Sequence, residues 1–168
     1  MVVDIGEIIL KNKEEKTNAI RLLEQKKLNF KVHDYSQSDV ISGLDVANYL
    51  KENPDRVFKT LVTIGKSGSH YVFLVPVNKE LNLKKAAQSV SEKNISMIKS
   101  KELLPLTGYI HGGCSPIGMK KFFTTIIDAS AKDFDEIIFS AGKIGFQIEM
   151  NLTDLEKIIK FKFDEITI

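Results

Sequence analysis

Two periodicities of hydrophobic residues run along the chain and predict its secondary structure. Apolar residues spaced three or four positions apart predict helices, and Ser42 and Asn151 carry the polar side chains that cap a helix N-terminus. The predicted helices cover 17–27, 42–50, 83–90, 100–104 and a closing helix that begins at Asn151 and directs Leu152, Leu155, Ile158 and Ile159 inward. Alternation with a period of two predicts strands. The predicted strands cover 29–35, 57–64, 71–77, 95–98, 122–127, 136–140 and 146–150.

The order of these elements favours an α+β fold. Strands outnumber helices, and the strands over 57–64 and 71–77 are separated by a turn of hairpin length, Lys66–Ser69. We therefore expect a single domain with a mixed, mostly antiparallel, curled β-sheet flanked by helices, rather than a doubly wound parallel sheet. A length of 168 residues is that of one domain. The charged segment near its start predicts a loose N-terminal extension over 1–16, followed by the domain over 17–168.

Composition and charge narrow the choice of partners. The chain has 24 basic and 22 acidic residues, so its net charge of +2 gives no global field that demands nucleic acid or an anionic membrane. The charge is uneven locally: seven lysines against two glutamates give +5 over 84–121, and nine acids against five lysines give −4 over 128–168. Such segments are typical either of a basic face or of solvated helix surfaces.

The sequence also argues against metals, cofactors and membranes. The single cysteine, Cys114, can form neither an internal disulfide nor a cysteine-rich zinc site, and the three histidines lack metal-ligand spacing. No apolar run reaches the roughly 18 residues that a membrane span needs. An acid, Asp4, precedes every basic residue, unlike the start of a signal peptide. We therefore expect a cytoplasmic protein with no metal, no cofactor and no membrane partner.

A lysine on an apolar strand face is the first candidate for chemistry. The period of two in the strand over 57–64 places Val57, Lys59 and Leu61 on one face. A lysine that snorkels at a strand end would give this pattern, and so would a lysine held in a cleft for an anionic or carbonyl-bearing ligand. A buried ammonium without a partner is costly or loses its proton, so we expect a partner for Lys59 in either case.

The glycine-rich segment Gly112–Gly118 (GGCSPIG) is the second candidate. Adjacent glycines such as Gly112 and Gly113 let a backbone approach a ligand and turn consecutive amides toward one point, where they can stabilise an oxyanion. A tight turn around Pro116 is the structural alternative. The segment 142–145 (GKIG) is consistent with a similar backbone wall or with a plain hairpin turn.

The sequence carries no motif for an activated protein nucleophile or a nucleotide cofactor. It contains no GxSxG elbow, HExxH, P-loop or GxGxxG pattern. Cys114 with a distant histidine would make a nucleophilic pair, although a lone cysteine beside glycine is more often a packed small residue.

Six stretches of the sequence, in this order, resemble the YbaK/EbsC family of bacterial aminoacyl-tRNA deacylases. They are 57–61 (VFKTL), 83–86 (LKKA), 107–109 (TGY), 112–121 (GGCSPIGMKK), 125–128 (TIID) and 141–145 (AGKIG). The likeness runs from about Thr17 to the C-terminus. The glycine, serine, proline and glycine of the fourth stretch, followed by Lys120 and Lys121, are more similar to the branch that removes cysteine from tRNA(Pro) than to the branch that clears alanine.

The resemblance implies a trans-editing enzyme. Prolyl-tRNA synthetase sometimes charges tRNA(Pro) with cysteine because cysteine and proline are close in size, and a pocket separates such near-isosteres only weakly. The implied enzyme removes that cysteine by attack of the substrate's own thiol on the ester, so the protein only positions the reactants and stabilises charge. Its implied partner is the acceptor end of an aminoacylated tRNA, and a ternary complex with prolyl-tRNA synthetase stays open.

The resemblance also assigns roles to residues. It makes Lys59, Gly112 and Gly113 catalytic, because the lysine orients the substrate end and the glycine backbone contacts the aminoacyl group. The implied substrate-binding residues are Tyr35, Thr60, Ser115, Pro116, Gly142 and Gly145. The candidates for contacts to acceptor-stem phosphates are Lys84, Lys85, Lys120 and Lys121. A half-buried strand aromatic at Tyr35 and simply solvated lysines are the structural alternatives.

Three residues depart from the family's pattern. Cys114 replaces an aliphatic residue, Met119 replaces a common glutamine and Gln147 replaces a common aspartate. The last two changes remove a polar or charged group, which bears on the choice of substrate. Two alternatives therefore stay beside the leading one: a deacylase for another mischarged tRNA, such as Ala-tRNA(Pro), and a non-catalytic module that binds tRNA or the synthetase.

Overall fold

Nine strands and five α-helices make up the described part of the structure. This computed structural model describes residues 2–3 and 16–168. The strands are β1 (Val2–Val3), β2 (Lys31–Asp34), β3 (Phe58–Gly65), β4 (His70–Pro76), β5 (Ile95–Met97), β6 (Thr124–Asp128), β7 (Glu136–Ser140), β8 (Phe146–Asn151) and β9 (Lys162–Asp164). The helices are α1 (Asn18–Gln25), α2 (Gly43–Tyr49), α3 (Leu83–Ser89), α4 (Ser100–Thr107) and α5 (Leu152–Leu155).

The strands divide between two sheets. The four-stranded sheet has the order β1-β2-β8-β7 and is antiparallel throughout. The five-stranded sheet has the order β5-β3-β4-β6-β9, in which β4, β6 and β9 run parallel to one another. An isolated parallel bridge between Val57 and Ile138 connects the two sheets. The predicted α+β class with mixed, mostly antiparallel pairing is confirmed, and the pairing is split between two bridged sheets.

The main hydrophobic core combines both sheets with α1. Phe58 of β3 and Ile148 of β8 belong to one buried cluster with Leu23 of α1. A second cluster, which includes Phe73 of β4 and Ala86 of α3, is a separate core under α3. Full burial of one large apolar side chain, such as phenylalanine or leucine, contributes roughly 1.5–3 kcal/mol to the stability of the fold. Strands β3 and β4 therefore supply side chains to two cores, which fixes the position of the polar residues that β3 also carries.

Helix α2 begins where its capping residue predicts. The Ser42 hydroxyl accepts a hydrogen bond from the Asp45 amide at 3.2 Å. Gly43, the first helical residue, lies so close to the end of β4 that an added Cβ would be 2.5 Å from Cγ1 of Val77. The start of α2 is therefore packed against the five-stranded sheet, which holds the preceding loop beside the end of β4.

Two predicted helix ends are wrong. Helix α4 continues past Pro105 to Thr107, because the Thr107 hydroxyl donates to the Leu103 carbonyl at 2.8 Å and Gly108 ends the helix in a left-handed conformation, with φ +88°. The closing helix ends at Leu155, so Ile158 and Ile159 pack against the core from the segment that follows it. The short strand β9 was not predicted.

The start of the chain has a limited description. Residues 1 and 4–15, which make up most of the predicted extension, lie outside the described residues. Val2–Val3 form β1, which pairs with β2 through Val2 opposite His33 and Val3 opposite Val32. Among the helices that the structure describes, none is long and apolar enough to cross a membrane.

Candidate active site

A cleft of about 510 Å³ lies beside the bridge that joins the two sheets. Val57 and Ile138 form that bridge, and two positions further along their strands Lys59 and Ser140 both line the cleft. The loop before α2 and the start of α4 supply the other walls. The polar residues that line the cleft include Tyr35, Ser42, Lys59, Thr60, Glu80, Lys99, Ser100, His111, Ser140 and Gln147. The walls also carry many apolar side chains, as expected for a site that excludes water.

Lys59 lies in the cleft wall and has the partner that its sequence context required. Its Nζ is 3.4 Å from Oε1 of Glu80, and the two side chains are 27% and 77% exposed. An ion pair of this kind is worth at most about 1 kcal/mol, because solvent screens it. A ligand oxyanion can therefore replace Glu80 at little cost, which leaves the ammonium available for substrate.

Two cleft residues carry buried oxygens that have no partner. Oγ1 of Thr60 and Oε1 of Gln147 make no hydrogen bond to any residue that the structure describes. Leaving a buried polar atom unpaired costs about 1–3 kcal/mol. Both residues line the cleft, so a bound ligand is the natural source of the missing donors.

Of the two adjacent glycines in the glycine-rich loop, only Gly112 has an amide that lacks a hydrogen-bond partner in the described structure. Gly112 lines the cleft with φ +85°, and its N–H has no hydrogen-bond partner within residues 2–3 and 16–168. The Gly113 N–H donates to the Ile110 carbonyl at 3.0 Å. An added Cβ on Gly113 would be 3.0 Å from the Ile144 nitrogen, so this glycine allows the loop to pack on the 142–145 segment. The expected pair of adjacent free amides is therefore not formed.

Behind Gly113 the loop turns into the core. Ser115 is fully buried, and its hydroxyl accepts a hydrogen bond from the Ile117 amide at 3.3 Å. Pro116 is also buried, and neither residue lines the cleft. Cys114 does line it, but burial raises the pKa of its thiol to about 12. The thiol therefore stays protonated at neutral pH, and no hydrogen bond joins it to His111 in the described structure.

The second glycine segment, 142–145, contacts two tyrosines, Tyr35 and Tyr109. An added Cβ on Gly142 would be 2.7 Å from Cε1 of Tyr109, and the Gly145 carbonyl accepts a hydrogen bond from the Tyr35 amide at 2.7 Å. Tyr35 lines the cleft, and burial raises the pKa of its hydroxyl, so it is neutral. Tyr109 donates to the Ile117 carbonyl at 2.6 Å and thereby joins the two glycine loops. Tyr109 belongs to one of the six stretches that resemble the family, 107–109, but no role was predicted for it from the sequence.

The four lysines predicted to contact tRNA lie outside the cleft lining. Nζ of Lys85 donates to the Thr167 carbonyl at 3.0 Å, and Nζ of Lys120 donates to the Pro105 carbonyl at 3.4 Å. Lys84 and Lys121 are exposed. A different lysine, Lys99, lines the cleft at the start of α4. Its only signal in the sequence was the local excess of positive charge over 84–121.

A buried charge network lies on the same face of the four-stranded sheet as Gln147. Nε2 of His33 is 2.6 Å from Oε1 of Glu149, and Nδ1 of His33 is 3.2 Å from Oε2 of Glu52. Nη1 of Arg56 donates to Oε2 of Glu149 at 3.0 Å. Burial raises the pKa of Glu52 to about 7 and lowers that of His33. Burial acts to raise the pKa of Glu149 too, but the hydrogen bonds from His33 and Arg56 outweigh it and lower that pKa.

This network is distinct from a metal centre. Within the described ranges, no group of three or more histidine, cysteine or carboxylate side chains is arranged to hold a metal ion. The sequence predicted no role for the network, because its members are far apart along the chain: His33 and Glu149 are separated by 116 positions.

Comparison with known proteins identifies the family. A model of the aminoacyl-tRNA editing domain matches residues 39–158, a range that includes Lys59, Gly112 and Gln147. The chain belongs to this family. It is 43% identical, over 94% of its own length and 96% of the relative's, to a protein of Enterococcus faecalis whose name assigns it provisionally as the Cys-tRNA(Pro)/Cys-tRNA(Cys) deacylase EbsC. The resemblance inferred from the sequence motifs is confirmed.

Two further similarities connect this editing protein with prolyl-tRNA synthetases. The chain is 26% identical, over 96% of its length, to the proline–tRNA ligase of Lactobacillus johnsonii, of which it spans 29%. A solved structure described provisionally as a trans-editing enzyme for prolyl-tRNA synthetase superposes with a TM-score of 0.80, over 90% of this chain and 95% of the other, at 20% identity. These findings confirm the fold and the predicted enzyme class, an aminoacyl-tRNA deacylase.

Proposed function

We propose that this protein removes cysteine from Cys-tRNA(Pro) in trans, with the substrate's own thiol as the nucleophile. One observation carries the proposal: among the described residues, the cleft lining offers groups that stabilise negative charge but no activated nucleophile. Lys59 and the Gly112 amide line it, while the Cys114 thiol is held protonated. Attack by water or by a group of the substrate itself then remains, and we assign it to the substrate. A cysteinyl ester supplies a thiol whose ordinary pKa is about 8.5.

The chemical step balances without a cofactor. The substrate sulfur attacks the ester carbonyl carbon, a C–S bond forms, and the bond from that carbon to the ribose oxygen breaks. The thiol proton ends on the ribose oxygen, so the products are tRNA with a free terminal hydroxyl and a cyclic thiolactone that water opens. Lys59 and the Gly112 N–H stabilise the negative charge that develops on the carbonyl oxygen. Thr60 and Tyr35 form part of the wall around the aminoacyl group.

The similarity to proline–tRNA ligases supports tRNA(Pro) as the substrate tRNA. It also supports the cytoplasm, where tRNA is charged, as the location of the protein. This chain matches the E. faecalis relative over 96% of the relative's length. That match supports a deacylase that acts as a separate protein from the synthetase. A ternary complex with prolyl-tRNA synthetase would supply recognition of the tRNA body. Lys84, Lys85, Lys120 and Lys121 remain our candidates for phosphate contacts, and Lys99 at the cleft joins them.

Substitution of Lys59 tests the site. Lys59→Ala should lower kcat/KM for Cys-tRNA(Pro) by about 100-fold or more, the loss expected for one group that stabilises an oxyanion. Lys66→Ala is the matched control, because Lys66 is exposed in the β3–β4 turn and should leave the rate unchanged. Thermal melting of both variants checks the fold. A Lys59→Ala enzyme that is folded and as active as the wild type would overturn the site assignment.

The same assay separates the alternative functions. Binding of tRNA with no cleavage of any ester by the wild type would support a non-catalytic module. Cleavage of Ala-tRNA(Pro) as fast as Cys-tRNA(Pro) would place the chain with deacylases that use water.

A further inference from the structure

The floor of the cleft holds an amide side chain that the protein does not satisfy. Gln147 is only 6% exposed and lines the cleft, yet its Oε1 has no hydrogen-bond partner in the described ranges 2–3 and 16–168. It lies on β8, the strand between β2 and β7, opposite His33 on one side and Ser140 on the other. A residue in the middle of a sheet is positioned rigidly, so its side chain is presented to the cleft in a fixed place.

The neighbours of Gln147 have polar contacts of their own. Both ring nitrogens of His33 face carboxylates, Glu149 at 2.6 Å and Glu52 at 3.2 Å. The Ser140 hydroxyl accepts a hydrogen bond from the Gly142 amide at 3.1 Å. Because no described group holds Oε1, rotation of the terminal amide exchanges Oε1 and Nε2 without breaking an internal hydrogen bond. The amide can therefore turn its oxygen toward a donor in the cleft.

An aminoacyl ester has one group that only donates hydrogen bonds, its α-ammonium. Two acceptors that have no partner among the described residues, Oε1 of Gln147 and Oγ1 of Thr60, belong to residues of the cleft lining. The Lys59 ammonium reaches Glu80 at the exposed side and repels a second cation there. Gln147 and Thr60 carry no charge that would repel a cation, so their part of the floor is the favourable place for the α-ammonium, and the ester carbonyl is left for Lys59.

We propose that Gln147 binds the α-ammonium group of the aminoacyl ester and so restricts the enzyme to esters with a free amino group. N-acylated esters, of which peptidyl-tRNA is one, would present an amide in place of three N–H donors and would bring an acyl group that the floor must accommodate. This assignment rests on the proposed deacylase function. It gives Gln147 a role in selecting the backbone of the aminoacyl group, separate from the selection of its side chain.

The test compares two esters that both keep the thiol, Cys-tRNA(Pro) and N-acetyl-Cys-tRNA(Pro). Each enzymatic rate is divided by the spontaneous rate for the same ester, because a free ammonium itself activates the ester. The wild type should prefer the free amine by about 10- to 100-fold, the range expected for a hydrogen bond to a charged group. Gln147→Met, which keeps the size and removes the acceptor, should lose that preference by slowing only the free-amine substrate.

Two further variants complete the experiment. Gln147→Glu keeps an acceptor and should retain the preference, whereas Gln88→Met, on the exposed face of α3, should behave as the wild type. An unchanged rate of Gln147→Met on the N-acetyl ester shows that the variant is folded. Equal slowing of both esters by Gln147→Met, or a wild type with no preference, would overturn the assignment of Gln147 and leave the proposed deacylase function standing. A wild type that cleaves neither ester would overturn the proposed function and this assignment with it.

Discussion

Burial decides the chemistry of Cys114. The residue lines the cleft beside Gly112, but burial raises the pKa of its thiol to about 12, so almost no thiolate exists at neutral pH. Cys114→Ala should therefore keep kcat/KM for Cys-tRNA(Pro) within about threefold of the wild type. At a pH far below its pKa a thiol is protonated and is a poor nucleophile. The measurement is the deacylation rate at saturating and limiting tRNA. A loss of 100-fold in a folded Cys114→Ala protein would make Cys114 the nucleophile and contradict the mechanism.

Glu52 should make stability depend on pH. Burial and the nearby Glu149 raise its pKa in the folded protein to about 7, above an ordinary value of 4.5. The protonated carboxyl therefore contributes stability that is fully present below about pH 4.5 and is lost as the pH rises through 7. Glu52→Gln removes this titration and keeps the size and shape of the side chain. We expect the variant to match the wild type near pH 4.5 and to be more stable at pH 8 by on the order of 2 kcal/mol.

Thermal unfolding of the wild type and Glu52→Gln across this pH range tests the prediction. Glu149 contributes in the opposite direction, because its lowered pKa gives stability that is lost as the pH falls. Glu156→Gln is the control, because it removes a carboxylate at an exposed position. A difference between wild type and Glu52→Gln that does not change with pH would show that Glu52 is already ionised in the fold.

At the scale of elements, the two glycine loops depend on Tyr109. Gly142 has φ +98°, and an added Cβ would be 2.7 Å from Cε1 of Tyr109. Gly68 has a similar φ of +92° in the β3–β4 turn, with nothing within 4 Å of an added Cβ. Gly68→Ala should therefore cost about 1 kcal/mol from backbone strain alone. Gly142→Ala should cost about 1–3 kcal/mol more, because the Tyr109 ring must move.

Urea denaturation of the two glycine variants measures the difference directly. The loss in Gly142→Ala should be accompanied by slower deacylation, since Tyr109 also holds the loop that carries Gly112. Equal losses of stability in Gly142→Ala and Gly68→Ala would mean that the 142–145 segment has room to move and does not buttress the cleft.

Local patterns predicted most elements, and they failed where a partner distant in sequence decides the structure. The alternation in 57–64 gave β3 and put Lys59 on a defined face, because strand periodicity depends only on neighbouring residues. β9 (Lys162–Asp164) has a single apolar residue and exists by pairing with β6, which no local pattern reveals. Helix α4 passes Pro105 because only the last turn loses a hydrogen bond, and Thr107 and Gly108 complete the end of the helix.

At the scale of the whole molecule, the site is assembled by long-range pairing. The motifs predicted the family and the place of Lys59 and Gly112, because these residues lie within the matching stretches. Gln147 was noticed only as a departure from the family's pattern, and its unpaired oxygen became visible when β8 was placed beside β2 and β7. Such contacts depend on the complete topology and leave no spacing in the sequence.

The central claim is that the substrate supplies the nucleophile, and one comparison tests it most directly. Single-turnover deacylation of Cys-tRNA(Pro) and Ser-tRNA(Pro) by the same enzyme changes only sulfur to oxygen. A thiol is far more ionised than a hydroxyl near neutral pH, so we expect cysteine to be released at least about 100-fold faster than serine. Equal rates for the two esters would mean that water attacks the carbonyl and would contradict the account.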